Sequence, residues 1–271
     1  MSEILISIIT PSYNQGEYIE ETIMSVLNGG YENLEHIIID GGSTDNTLDI
    51  LRKYKHLNWI SEPDNGQTEA INKGFKMAKG DIIGWLNSDD LYHINAIRVA
   101  VEAFDCDLNC EFIYPDICRI NDKSDITEVI NIKEFCLDDV VKTGNTIAQP
   151  GVFFRRSIFD KIGYLNESFH YAMDLEFWLR MAKNKINMKK INRTLAYFRE
   201  HGESKTVSLA NKFWEEEWPI LRYYGSTSLP PVMIKKANEF FGINLIKKIL
   251  FYLEQKRTEK RFIENFFGKS I

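Results

Sequence analysis

Up to residue 92 the chain switches repeatedly between apolar, β-rich runs and segments of helical spacing, and that alternation leaves few architectures open. Residues 4–10 form the first apolar run. Residues 17–28 then place Ile19, Ile23, Val26 and Leu27 near helical spacing and stop at Gly29-Gly30. A second strand is expected at 34–39, a helix at 44–54 opened by Ser43-Thr44-Asp45, and a third strand at 57–61. Residues 67–79 predict a helix with Ala70, Ile71, Phe75 and Ala78 inward, closed by Gly80 and followed by a strand at 81–86. The βαβαβαβ order predicts a mostly parallel sheet with helices on both faces. Such sheets bind ligands beyond the carboxyl ends of their strands.

Those ends carry Pro11-Ser12-Tyr13-Asn14-Gln15-Gly16, Asp40-Gly41-Gly42-Ser43-Thr44-Asp45, Glu62-Pro63-Asp64-Asn65-Gly66 and Asn87-Ser88-Asp89-Asp90. All four are polar and rich in Gly or Asn, and three carry acids. The last is the most telling. Adjacent carboxylates at a strand tip raise each other's pKa unless a cation neutralises them. Mg²⁺ and Mn²⁺ take oxygen ligands, often one or two carboxylates plus substrate phosphates. A solvated turn would use the same residue types.

Beyond residue 92 the pattern is less regular. Helices are expected at 93–104, 157–162, 172–183 and 205–224, and strands at 111–121, 126–132, 152–155, 188–191 and 195–199. Residues 1–210 read as one domain in two halves, one to about 92 and one from 93. Residues 211–271 read as a helical extension. The net charge of −6 argues against bulk nucleic-acid binding. Cys106 and Cys110 are spaced like zinc ligands, but no further Cys or His pair completes a site. Reduced thiols in a cytosolic protein are expected, with zinc as the alternative. Residues 4–9 are too short, and lack the basic leader, for a signal peptide.

Residues 235–271 hold nine Lys/Arg and four Glu, with Phe240, Ile243, Leu250 and other apolar residues interleaved. A basic amphipathic helix of this kind can lie on an anionic membrane surface at the inner face of the cell membrane. Packing on the body and a homodimer contact are the alternatives.

Several segments together resemble the family-two glycosyltransferases, inverting nucleotide-sugar enzymes with the GT-A fold. Ser7-Ile8-Ile9-Thr10-Pro11-Ser12-Tyr13-Asn14 resembles the first strand and its loop. Ile39-Asp40-Gly41-Gly42-Ser43-Thr44-Asp45, Asp64-Asn65-Gly66 and Ala70-Ile71-Asn72-Lys73-Gly74 resemble the nucleotide side. Asn87-Ser88-Asp89-Asp90 stands where the metal motif is expected. Gln149-Pro150-Gly151 and Met173-Asp174-Leu175-Glu176-Phe177-Trp178-Leu179-Arg180 resemble the acceptor side. The likeness covers about residues 4–206. Two positions depart from the pattern: Asn87 replaces the usual first Asp of the metal motif, and Gly41 replaces an Asp that often contacts the base.

The resemblance implies an α/β fold of GT-A (Rossmann-like) type: a mixed, mostly parallel central sheet flanked by helices. It implies transfer from a nucleotide-sugar donor, a UDP-sugar first, to a glycan or lipid-linked acceptor in surface polysaccharide synthesis. Nucleotide contacts are expected from Pro11, Tyr13, Asn14, Asp40, Gly41, Ser43, Asp64, Gly66, Asn72, Lys73, Asn87 and Ser88. Pro11 and Tyr13 would wall the base, and Lys73 would offset diphosphate charge. Asp89, with His201 as a further ligand, would hold Mg²⁺ or Mn²⁺. Asp174 is the expected general base, with Glu176 as its rival. Gln149, Gly151 and Trp178 would line the acceptor site; core packing is the commoner fate of a Trp. A nucleotidyltransferase would carry basic residues in its first loop, and residues 11–16 have none. A non-catalytic nucleotide-binding relative is the remaining alternative.

Overall fold

The computed structural model describes residues 4–144, 146–202, 204 and 210–226 of the chain. Strand β1 (Ile6–Ser12) is buried at every position. That explains why its apolar residues do not alternate with exposed polar ones: a strand covered on both faces has no solvent side, and its polar Ser7, Thr10 and Ser12 are buried too. β2 (Leu34–Asp40) and β4 (Ile82–Trp85) flank it in parallel, and β3 (Leu57–Ser61) pairs in parallel with β2. Helices α1 (Ile19–Leu27), α2 (Thr47–Leu51) and α3 (Gln67–Met77) make the crossovers. The helix expected at 44–54 shortens to α2. Its first residues are held in a loop instead: Thr44 N donates to Asn14 Oδ1 and Thr47 N to Asp45 Oδ1.

The second half adds β5 (Leu91–Tyr92), α4 (Ala96–Cys106), β6 (Phe112–Ile120), β7 (Ile126–Ile130), α5 (Leu137–Thr143), β8 (Phe153–Arg155), α6 (Ile158–Ile162), α7 (Met173–Lys183), β9 (Met188–Arg199) and α8 (Ala210–Tyr223). The sheet runs β3-β2-β1-β4-β8-β6-β9-β5, with β7 forming an antiparallel hairpin on β6. β8 lies antiparallel between β4 and β6, and β9 runs parallel to β6. The two strands expected between 188 and 199 are one. The pairing steps from Pro115↔Ile191 to Asp116↔Thr194, so Asn192 and Arg193 bulge out and interrupt the apolar pattern.

β1 alternates its side chains between two cores. Ile9 faces the larger one, shared with α3, α7 and α8, while Ile6 and Ile8 face α4. The boundary expected at 210/211 falls at the start of a helix built into this body. Ile220 and Leu221 of α8 are fully buried in the larger core, with Trp218 buried beside them. All four cysteines are free, Cys110 buried and Cys106 exposed. The basic segment, 235–271, lies outside the described residues, and among those described no helix is long and apolar enough to cross a membrane.

Candidate active site

The carboxyl ends of β1 to β4 come together at one edge, as a parallel sheet requires. The loops there are braced chiefly by their own acids. Asp40 is fully buried and accepts Gly42 N (3.1 Å), Ser43 N (2.9 Å), Ser43 Oγ (2.5 Å) and Ser61 Oγ (2.6 Å). It organises its loop and presents no free face to a base. Ser43 Oγ in turn accepts Asn14 N at 2.7 Å, and Asn14 Oδ1 accepts Thr44 N at 2.8 Å. Asn14 and Ser43 thus staple the first loop to the second. Pro11 is buried within β1, whereas Tyr13 is 61% exposed, so of the two residues expected to wall the base only Tyr13 offers a face.

Asp64 is half-buried and accepts the Gly66 N–H at 2.8 Å. Gly66 has φ of 125°, a backbone that suits glycine, and opens α3. A Cβ on Gly41 would stand 2.8 Å from Asp64 Oδ2. The space that a side chain at 41 would fill is therefore taken by a carboxylate from the next loop. Two other expectations change. Lys73 pairs with Glu62 (2.9 Å) and Glu69 (3.0 Å), and those hydrogen bonds raise its pKa. Its charge is already matched and is not spare for a diphosphate. Asn72 is buried and spends its amide on Leu165 N, Leu165 O and Glu167, so it ties down a loop instead of facing the cleft.

At the tip of β4, Asn87 is a hub. Its Oδ1 accepts Gln67 Nε2 (2.9 Å) and Trp85 Nε1 (3.2 Å), while its Nδ2 donates to Gln149 Oε1 (2.8 Å) and Asp90 Oδ2 (3.3 Å). An aspartate could not make the last two contacts. Asparagine at 87 thus serves the loop's own hydrogen bonding. Gln149 completes the hub by donating to the Trp85 carbonyl at 2.8 Å, and it does not point to an acceptor. Ser88 is buried, its carbonyl accepting Thr22 Oγ1. Asp90 is fully buried and accepts the Arg199 N–H at 2.9 Å; burial and the neighbouring Asp89 charge push its pKa well up.

Asp89 is the carboxylate left facing outward. Its side chain is 22% exposed, and Oδ2 lies 3.2 Å from His201 Nε2. The two expected metal ligands, 112 residues apart in sequence, stand together. His201 packs against Tyr18, ring centroids 4.6 Å apart, and its turn is closed by Ser204 Oγ accepting His201 N at 3.0 Å. A cleft of about 410 Å³ opens beside it, lined by Glu17, Tyr18, Asp122, Glu200, His201 and Gly202. Beneath lies Arg199, which the sequence reading missed. Its fully buried guanidinium reaches the carbonyls of Asp89 (2.8 Å), Asn121 and Asp122, Ser124 Oγ and the Glu21 carboxylate (2.8 Å). A buried cation costs several kcal/mol in desolvation unless its donors are met, and these are. The available signal was an arginine closing an apolar strand two residues before the histidine. Among the described residues no group of three or more His, Cys, Asp and Glu could hold a metal ion. One carboxylate and one imidazole nonetheless suit a divalent ion whose remaining ligands are phosphate oxygens and water.

Asp174 stands half-buried in the first turn of α7, at the amino-terminal end of the helix where the backbone dipole is positive. Its rival Glu176 is 2% exposed and locked to Arg180 at 2.8 Å, with Tyr224 OH also donating to it at 3.2 Å. It cannot reach an acceptor. Trp178 is fully buried, packed on Phe112 and Trp85, and Gly151 is buried at φ 85° with Pro115 Cγ 2.8 Å from where a Cβ would stand. Both are packing residues, and neither lines an open acceptor site.

A sequence profile described as glycosyl transferase family 2 matches residues 7–163. TuaG of Bacillus subtilis, named as a teichuronic acid biosynthesis glycosyltransferase, is 30% identical over 202 residues, spanning 72% of this chain and 79% of its own. Among solved structures, S. aureus TarS 1–349 in complex with UDP-GlcNAc superposes with a TM-score of 0.70 at 17% identity, covering 97% of this chain and 82% of that one. The mannosyltransferase PcManGT from Pyrobaculum calidifontis, in complex with GDP-Man and Mn²⁺, superposes at 0.59 with 14% identity, covering 100% of this chain and 89% of that one. At such identities the structural likeness speaks for the fold alone.

Proposed function

The chain belongs to glycosyl transferase family 2, and from that membership we propose that it moves a sugar from a nucleoside-diphosphate sugar, a UDP-sugar first, to a hydroxyl of a glycan or lipid-linked acceptor, with inversion. The observation that carries this reading is the pairing of Asp89 with His201 at the sheet edge. UDP as the first choice draws on TarS, a structural neighbour solved with UDP-GlcNAc, and surface polysaccharide on TuaG. The base would stack on Tyr13, with Asp64 at hand as a hydrogen-bond acceptor. Asp89 and His201 would hold Mg²⁺ or Mn²⁺, which when bound supplies positive charge against the departing diphosphate.

Asp174 then acts as the general base. The acceptor oxygen forms its bond to the anomeric carbon as the bond from that carbon to the phosphate oxygen breaks. The hydroxyl proton passes to the Asp174 carboxylate, and the electron pair leaves with the nucleoside diphosphate. The basic segment 235–271 would bring the enzyme to an anionic membrane carrying a lipid-linked acceptor.

The test is thermal stability against a panel of nucleoside diphosphates and nucleotide sugars, with and without Mn²⁺. A Mn²⁺-dependent rise with one nucleotide is expected, and it should vanish in Asp89→Ala and fall in His201→Ala. A nucleotide response of equal size in Asp89→Ala, with or without Mn²⁺, would remove the ligand role.

A further inference from the structure

The loop leading into α7 is held from two sides. On one, Thr68 Oγ1 donates to the Phe169 carbonyl at 2.6 Å and Asn72 Nδ2 to that of Leu165 at 2.9 Å, which ties the loop to α3. On the other, the carboxylate of Glu216 in α8 accepts three successive backbone N–H groups. His170 N lies 2.9 and 3.1 Å from its two oxygens, and Tyr171 N and Ala172 N lie 2.8 and 2.9 Å from Oε2. Glu216 is only 9% exposed. No local side chain does this job: the residue at the N-cap is Ala172, and α7 has no side-chain cap bond. The turn two residues before Asp174 is therefore shaped by a carboxylate 44 residues further along the chain.

Hydrogen bonds to an ionised acceptor are roughly twice as strong as neutral ones. Three of them on one buried carboxylate make the loop stiff where stiffness bears on chemistry, since a misplacement of about 1 Å can cost about 100-fold in rate. We propose that Glu216 is a positioning residue, setting through the 170–172 backbone where Asp174 meets the acceptor hydroxyl. The proposal rests on the reading of Asp174 as the base. It also assigns α8, which lies beyond the family match at 7–163, a part in the reaction.

Glu216→Gln and Glu216→Ala are tested in the full chain, with the nucleotide sugar selected by the panel above and water as the acceptor. Expected is a fall in kcat of about 10-fold for Gln and up to about 100-fold for Ala, with donor KM and Mn²⁺-dependent nucleotide stabilisation unchanged. Asp174→Asn with Glu216→Gln should be no slower than Asp174→Asn alone, because a residue acting through Asp174 has nothing left to position. Amide exchange at 170–172, which needs no ligand, should quicken in Glu216→Gln. Unchanged kcat, unchanged exchange, or kcat and donor binding falling together with melting temperature would each overturn the proposal. If Asp174→Asn itself turns over at the wild-type rate, the base assignment fails. If it is inactive while both Glu216 variants keep full kcat, only the positioning role fails.

Discussion

Among single residues, identity says less than partners. Asp40, Asp89 and Asp90 are the same side chain in loops at one edge, yet two are buried and occupied by backbone or hydroxyl donors while the third faces an imidazole. Asn87 shows the same thing from the other side. Asn87→Asp should forfeit the bonds to Gln149 and Asp90 and set a carboxylate against Asp90. A loss of about 1–3 kcal/mol in denaturant unfolding is expected, with no gain in Mn²⁺ affinity. Tighter Mn²⁺ binding in a fully stable variant would make residue 87 a ligand position after all. His36 sets a pH dependence unrelated to the site. It is wholly buried, bonded at Nε2 to Thr10 Oγ1 (3.0 Å) with Nδ1 unpartnered, and burial lowers its pKa from 6.5 to about 3. Below about pH 6.5 the unfolded chain binds a proton there that the folded chain refuses. Stability should therefore fall with falling pH between about 6.5 and 3, by up to about 1.4 kcal/mol per pH unit. His36→Gln should flatten that slope, and an identical acid profile in both proteins would refute the assignment.

Among elements, α7 carries two acids that its sequence leaves hard to rank. Both lie in its first turn, but α7 buries the face that holds Glu176 and leaves Asp174 half-buried. Glu176→Gln should weaken the bonds to Arg180, which in turn holds the carbonyls of Ile162 and Tyr164. The expected outcome is a stability loss of about 1–3 kcal/mol with nucleotide binding retained. Asp174→Asn should instead melt like the wild type and be catalytically dead. Reversed results, a stable but inactive Glu176→Gln and an active Asp174→Asn, would exchange the two roles. Element boundaries were legible where periodicity was strong, as in α3 and β1. They were misread where side chains capture the backbone, as at 44–46, or where a bulge splits one strand's pattern in two, as at 192–193.

Across the whole molecule, the parallel strands β1 to β4 gather the polar loops at their carboxyl ends, and β9, far along the chain, brings His201 to Asp89 among them. Charge is divided too, since the net −6 includes a basic surplus in 235–271. A chain ending at residue 234 should stay off phosphatidylglycerol vesicles that the full chain binds, and equal sedimentation of the two with vesicles would remove membrane contact from the proposal. The sequence by itself determined the order of strands and helices and the polar loops at the strand ends, because periodicity and turn residues act over a few neighbours. It also singled out Asp89, His201 and Asp174 as candidates, of which the structure pairs the first two. Only the tertiary structure decided which acids are spent and which face outward, that Trp178 and Gly151 are packing residues, that Arg199 holds the Asp89 backbone, and that Glu216 holds the turn before α7 from far along the chain. Burial and hydrogen-bond partners come from contacts many tens of residues apart, and no local pattern carries them.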